Sequence, residues 1–202
     1  AGSTGGKATG GKPACDSEPE LCDGVDNDCD GELDEGACEK GCRGFTFEGG
    51  RYMFCDGRRS ETQAHESCRD EGMRLSWIES AEENAALVET IAELMSVDPE
   101  SDGGRDQAQV RIGGSDAEEE GVWRWEEPGD GLAFWEHLSG GKVWEGAAVD
   151  GFFVNWASER PNGRGDADED CVVLNIQSGD DGDAGQWNDV FCDDEYPFVC
   201  EQ

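Results

Sequence analysis

Basic side chains are scarce in this sequence: 15 Lys and Arg stand against 49 Asp and Glu, for a formal net charge of -34. A field of that sign repels nucleic acid phosphates and anionic membrane surfaces, so neither is expected as a partner. Histidine is nearly missing, with His65 and His137 the only two. Both lie away from the cysteine clusters and no CxxC pair occurs, which makes zinc a poor reading of the cysteine content. No apolar run approaches the roughly 18 residues that span a bilayer, so membrane insertion is not expected. The first residues do not read as a leader segment, and the chain is expected to be mature or trimmed. The GxSxG, HExxH and P-loop signatures of enzymes are also absent. Carboxylates are so frequent that an acid pair of glycosidase type would carry no information. The chain is therefore not expected to be an enzyme.

What is abundant is carboxylate and cysteine. Ten cysteines, an even number, form two clusters: Cys15, Cys22, Cys29 and Cys38, then Cys42, Cys55, Cys68, Cys171, Cys192 and Cys200. That density points to disulfides formed in an oxidising compartment, hence to a secreted, extracellular or cell-surface protein. Self-repulsion of so many carboxylates destabilises a compact state unless cations are bound, and hard oxygen donors select Ca2+.

Composition divides the chain into three parts. Residues 1–14 are small and Gly-rich without apolar periodicity, the composition of a flexible linker. Residues 15–40 carry four cysteines and few apolar side chains. Such a stretch cannot build a core and needs disulfides and metal to hold it. Residues 41–202 form the main body. The aromatic runs of FTFEGGRYMFC read as a hairpin. Ser60 with Gln63 and Ser80 with Glu83 are capping boxes that open helices over 61–71 and 81–95. Short strands follow at QVRIGG, VWRW, CVVLN and PFVCE, with long Gly- and Asp-rich loops over 126–170 and 178–186. The fold class is α+β.

Two constellations carry chemistry. In CDGVDNDCDGELDEG, Asp26, Asp28, Asp30, Gly31 and Asp34 reproduce the first, third, fifth, sixth and ninth positions of an EF-hand-type loop, where alternating carboxylates converge on one hard cation. Glu32 stands at the seventh position, whose ligand is a backbone carbonyl. Ala37 stands where the usual bidentate Glu would be, with Asp23 and Glu35 as the available substitutes. The run resembles the metal-binding motif of the MopE type found in bacterial surface proteins.

The second constellation is spread over the main body: Cys68, GMRLSWIESAEEN at 72–84, RIGGSD at 111–116, Trp123 and Trp125, NWASERPN at 155–162, EDC at 169–171, QWNDVFC at 186–192 and PFVCE at 197–201. Together these resemble a long-form C-type lectin-like domain. The resemblance implies pairings Cys42 to Cys55, Cys68 to Cys200 and Cys171 to Cys192, and a cis bond before Pro161. It also implies a primary calcium and sugar site made of Asn162, Glu169, Asn188 and Asp189, in which a sugar's vicinal hydroxyls complete the metal's shell. Arg160 departs from the pattern, because it stands where the first carboxylate would be, and Glu159 lies one position early. Either the guanidinium pairs with Glu169 or Asp189 as a built-in cation, or it swings outward and Glu159, Asp166 or Asp168 completes the shell. A second calcium is implied at Asp116, Glu120 and Asp170, with a role in fixing the loops.

Of the seven tryptophans, Trp77, Trp123, Trp125, Trp156 and Trp187 are expected in the core. Trp135 and Trp144, in the Gly-rich insertion, are expected to be buried beneath their own loop. The expected function is calcium-dependent carbohydrate recognition, with a glycan or cell-surface protein as partner. The alternative is a structural or adhesive module, open to self-assembly, in which calcium serves rigidity alone.

Overall fold

The first two strands form around a left-handed turn. Strands β1 (Cys42–Phe47) and β2 (Gly50–Arg59) pair antiparallel with Phe47 opposite Gly50. Glu48 and Gly49 between them have φ of 49° and 89°, the paired positive values of a two-residue hairpin turn that matches the strand twist. The computed structural model describes residues 19–30, 34–125, 131–163 and 169–202. The 1–14 linker, Cys15, Gly31, Glu32, Asp166 and Asp168 lie outside the described residues.

Both predicted helices form. Helix α1 (Glu61–Asp70) opens at Ser60, whose backbone N–H donates to Gln63 Oε1 at 3.3 Å. Helix α2 (Ala81–Met95) opens with the Glu83 N–H donating to Ser80 Oγ at 3.1 Å. The Glu83 carboxylate does more than cap. It accepts the Glu79 N–H at 2.8 Å and the Tyr52 hydroxyl at 2.7 Å, which fastens α2 to β2.

The remaining strands are β3 (Arg74–Leu75), β4 (Gln109–Ser115), β5 (Val122–Trp125), β6 (Leu132–His137), β7 (Gly146–Ala148), β8 (Cys171–Asn175), β9 (Trp187–Val190) and β10 (Tyr196–Glu201). They pair in the order β1-β2-β10-β4-β5-β6-β7, with β8 between β4 and β9. The β10 to β4 contact is parallel; the other named pairings are antiparallel. The core packs Leu87, Val88 and Ile91 of α2 against Phe54, Val110, Ile112 and Val199 of the sheet, with Trp77, Trp123, Trp125, Trp135 and Trp187 filling the rest. Trp156 is partly buried against the same cluster. Trp144 is only half-buried, with Lys142 Nζ 4.9 Å from its ring.

The insertion corrects the sequence reading. Within the stretch expected to be loop, β6 and β7 form a hairpin that extends the sheet beyond β5. Trp135 lies opposite Trp123 and Ala133 opposite Arg124, so Phe134 is an extra residue without a partner. This bulge lets the neighbours Phe134 and Trp135 both be buried, and it breaks the strict alternation by which a strand is read from sequence. Gly146 is required beneath the indole: a Cβ there would lie 1.9 Å from Trp135.

Disulfides join Cys42 to Cys55, Cys68 to Cys200 and Cys171 to Cys192, the pairings implied by the resemblance. A further bond joins Cys22 to Cys38. Cys22 is buried in a small cluster with Met53, Cys68, Leu75 and Phe198, so the acidic segment lies against the sheet. Gly44 of β1 permits this approach, since a Cβ would fall 2.2 Å from the Asp23 nitrogen.

Candidate functional site

In the acidic segment, carboxylate oxygens of Asp26, Asp28 and Asp30 lie within 4.8 Å of one another. A second group, Glu20, Asp28 and Glu35, overlaps it. Glu20, which no motif singled out, accepts the Asp28 N–H at 2.7 Å and the Asp34 N–H at 3.0 Å, and so ties the two limbs of the loop together. Asp34 faces another way. Its Oδ1 accepts the Asp23 and Gly24 N–H groups at 2.9 and 2.8 Å, beside the Cys22 to Cys38 bond. Asp23 is likewise engaged, accepting the Val25 N–H at 2.9 Å.

The second region is built on β9 and the segment 155–163. Trp187 anchors both. Its N–H donates to Asn155 O at 2.8 Å, its carbonyl accepts the Ala157 N–H at 2.9 Å, and its indole N–H donates to Asn84 Oδ1 of α2 at 2.9 Å. Gly185, at φ 86°, offers its carbonyl to both Asn84 and Asn155 side-chain amides. The next two residues on β9, Asn188 and Asp189, are buried, 4% and 1% exposed. Asp189 Oδ2 accepts the Asn162 and Gly163 N–H groups, each at 2.6 Å, and the peptide Arg160–Pro161 is cis.

Arg160 turns inward. Its guanidinium donates to Asp181 Oδ1 at 2.8 Å and lies 3.7 Å from Asp189 Oδ1. Asp181 is held in turn by its own backbone: its N–H donates to Gln107 Oε1 at 2.8 Å and its carbonyl accepts from Asn175 at 3.0 Å. Asp181 was not foreseen, because one Asp within SGDDGDAGQ carries no distinguishing signal. Glu159, at φ 61°, is exposed.

Beside this segment, Asp116, Glu120, Glu169 and Asp170 line one cavity of about 130 Å³ together with Pro161 and Gly163. Trp123, Trp135, His137 and Val143 form its other wall, so the inserted hairpin closes the space over the carboxylates. The Asp116 N–H donates to Asp170 O at 3.3 Å, and Asp116 Oδ2 accepts the Gly121 N–H at 2.9 Å. Here Asp116 Oδ1, Asn188 Oδ1 and Asp189 Oδ1 are buried acceptors with no hydrogen-bond donor among the described residues. Burial pushes the Asp116 carboxyl up to about 7, helped by Glu120, Asp170 and Asp189. Burial also raises Glu169, with Asp189 adding to the effect and Arg160 opposing it. Asp189 is raised by burial against the opposing pull of the Asn162 and Gly163 amides and of Arg160. An oxygen-only set whose members are costly to ionise alone is of the kind a hard divalent cation can take. The sequence-derived residues thus fall into two neighbouring groups joined through Glu169: Asp116, Glu120 and Asp170 on the cavity, and Asn162, Asn188 and Asp189 on β9 and its partner loop.

The family model for the lectin C-type domain matches residues 58–202. The chain is 28% identical over 159 residues to C-type lectin domain family 4 member F of Mus musculus, covering 77% of this chain and 22% of that protein. It is also 28% identical over 157 residues to hepatic lectin of Gallus gallus, covering 77% of this chain and 56% of that protein. The chain therefore spans less than two thirds of the length of either relative. Among solved structures, it is similar to the mouse scavenger receptor C-type lectin carbohydrate-recognition domain, with 25% identity, a TM-score of 0.52, and coverage of 82% of this chain and 95% of that one.

Proposed function

The chain belongs to the C-type lectin domain family, and from that premise we propose that it is a calcium-dependent carbohydrate-binding module working outside the cell. A recognition role is supported by its similarity to a C-type lectin carbohydrate-recognition domain. The observation that supports the finer reading is the set of buried oxygens without donors among the described residues, Asp116 Oδ1, Asn188 Oδ1 and Asp189 Oδ1. The carboxylates of Asp116, Glu120, Glu169 and Asp170 would hold calcium, whose charge offsets their mutual repulsion and fixes the loops that bear them. Asp189 orients the 162–163 backbone, while Asn162, Glu169 and Asn188 offer polar groups to sugar hydroxyls. Hydroxyls supply donors and acceptors together, which suits a wall of acceptors with amides among them. The half-exposed Trp144 is outside the cavity lining and is given no role.

For the acidic segment we propose a second calcium position at Asp26, Asp28 and Asp30, in keeping with its resemblance to the MopE-type motif. Disulfide linkage supports an oxidising location, and no helix among the described residues is long and apolar enough to cross a membrane.

Glycan-array binding by the oxidised chain tests the reading. Binding is expected to vanish in chelator, to return with calcium, and to be lost in Asn188→Ala. Strong chelator-resistant binding to a protein partner, with no glycan bound, would favour the structural or adhesive alternative and overturn this one.

A further inference from the structure

The two neighbouring groups of carboxylates differ in one respect. The cavity of Asp116, Glu120, Glu169 and Asp170 has no Lys or Arg among its described lining residues. The adjoining group has a positive charge built in. Arg160, with only 19% of its side chain exposed, reaches Asp181 at 2.8 Å and Asp189 at 3.7 Å, and the Asp189 side chain is 0% exposed. Asp181 cannot turn away freely, because its backbone is fastened to Gln107 and Asn175. Asp189 is fastened by two amide donors at 2.6 Å. The guanidinium thus lies between two carboxylates that are each positioned by other contacts, and removing it would leave them facing one another with no countercharge between them among the described residues.

We propose that the guanidinium of Arg160 is the resident cation of this part of the recognition face, and that no divalent ion is held between Asp181 and Asp189. This deepens the preceding reading and rests on it: the divalent requirement belongs to the Asp116 cavity, while the β9 side meets sugar hydroxyls by direct hydrogen bonds. The residues present do not fit a metal here for a simple reason. A delocalised planar cation that donates to Asp181 and lies as an ion-pair partner 3.7 Å from Asp189 already supplies the positive charge that a metal would bring between them. Arg160 is then a specificity-determining residue, because hydroxyl pairs are read by fixed polar groups and not through a metal's coordination shell.

Counting bound calcium on the full oxidised chain by native mass spectrometry tests this. Asp116→Ala is expected to lose one ion relative to the unmodified chain, and Asp189→Asn to lose none. Arg160→Glu is expected to gain one ion, which disappears again when Asp189→Asn is added. Should Arg160→Glu not fold, Arg160→Gln leaves Asp181 and Asp189 facing each other and is expected to gain the same ion. An unmodified chain that loses an ion on Asp189→Asn, or Arg160 variants that keep the original count, would overturn the assignment. An Asp116→Ala chain that keeps its full count would instead overturn the preceding reading, on which the placing of the divalent ion depends.

Discussion

At the scale of single residues, the consequential groups are buried charges, and they divide into those with a partner and those awaiting one. Asp116 awaits one. Its carboxyl is raised from an ordinary 3.8 to about 7, first by burial and then by neighbouring carboxylates. The native state therefore binds a proton more tightly than the unfolded chain does. In chelator the resulting stabilisation is full below the unfolded value and is lost as pH rises through about 7, on the order of 4 kcal/mol for a shift of this size. Urea unfolding between pH 4 and 8 is expected to show this loss in the unmodified chain, and a flatter profile in Asp116→Asn. Arg111 already has its partners. It is fully buried on β4, donates to the carbonyls of Asp194 at 2.8 Å and Phe191 at 3.3 Å, and lies 5.3 Å from the Tyr196 ring. Arg111→Met keeps most of the volume and orphans those carbonyls, so a loss of roughly 2–3 kcal/mol in chemical denaturation is expected. Nothing in the sequence marked Arg111, because a charged residue inside RIGG looks like any strand's solvent-facing position. Asp181 was hidden for a related reason, since in the sequence it looks no different from its neighbours Asp180 and Asp183.

At the scale of elements, the local chemistry that could be read was the chemistry of helix ends. Ser60 and Ser80 each start a helix where a cap residue followed by Gln or Glu said they would. Ser80→Ala is expected to cost about 1 kcal/mol, measured by thermal or urea unfolding, because the Glu83 N–H loses its acceptor. Strands were legible where apolar residues alternate or run together, as in β4, β5, β8 and β10. They were missed at β6, where a bulge buries two successive aromatics, and at β9, where the buried face includes Asn188 and Asp189. Polar residues in a buried strand defeat a hydrophobic pattern, yet here they are the candidate site itself. The Cys68 to Cys200 bond ties α1 to β10 across 132 residues. By loop entropy alone, replacing both with Ala is expected to remove about 5 kcal/mol, which denaturant unfolding under non-reducing conditions would measure.

At the scale of the whole molecule, charge dominates. A net charge of -34 spread over one small protein repels itself at low ionic strength, and monovalent salt screens that repulsion within about 10 Å at 0.1 M. Raising sodium chloride from 0.02 to 0.5 M in chelator is expected to raise the thermal midpoint, whereas a protein stabilised mainly by surface ion pairs would lose stability. The architecture also sets an order of events. Strand β10 lies in the middle of the sheet, bonded to β2, β3 and β4 although it comes last among the strands. During synthesis the sheet therefore lacks its keystone until the end of the domain has emerged, and Cys68 must stay unpaired past the appearance of Cys171 and Cys192. Vectorial oxidation, joining each thiol to the next one to emerge, gives the wrong partners at that point. Correct maturation then calls for a disulfide-shuffling catalyst, and an oxidant supplied without one would yield scrambled isomers.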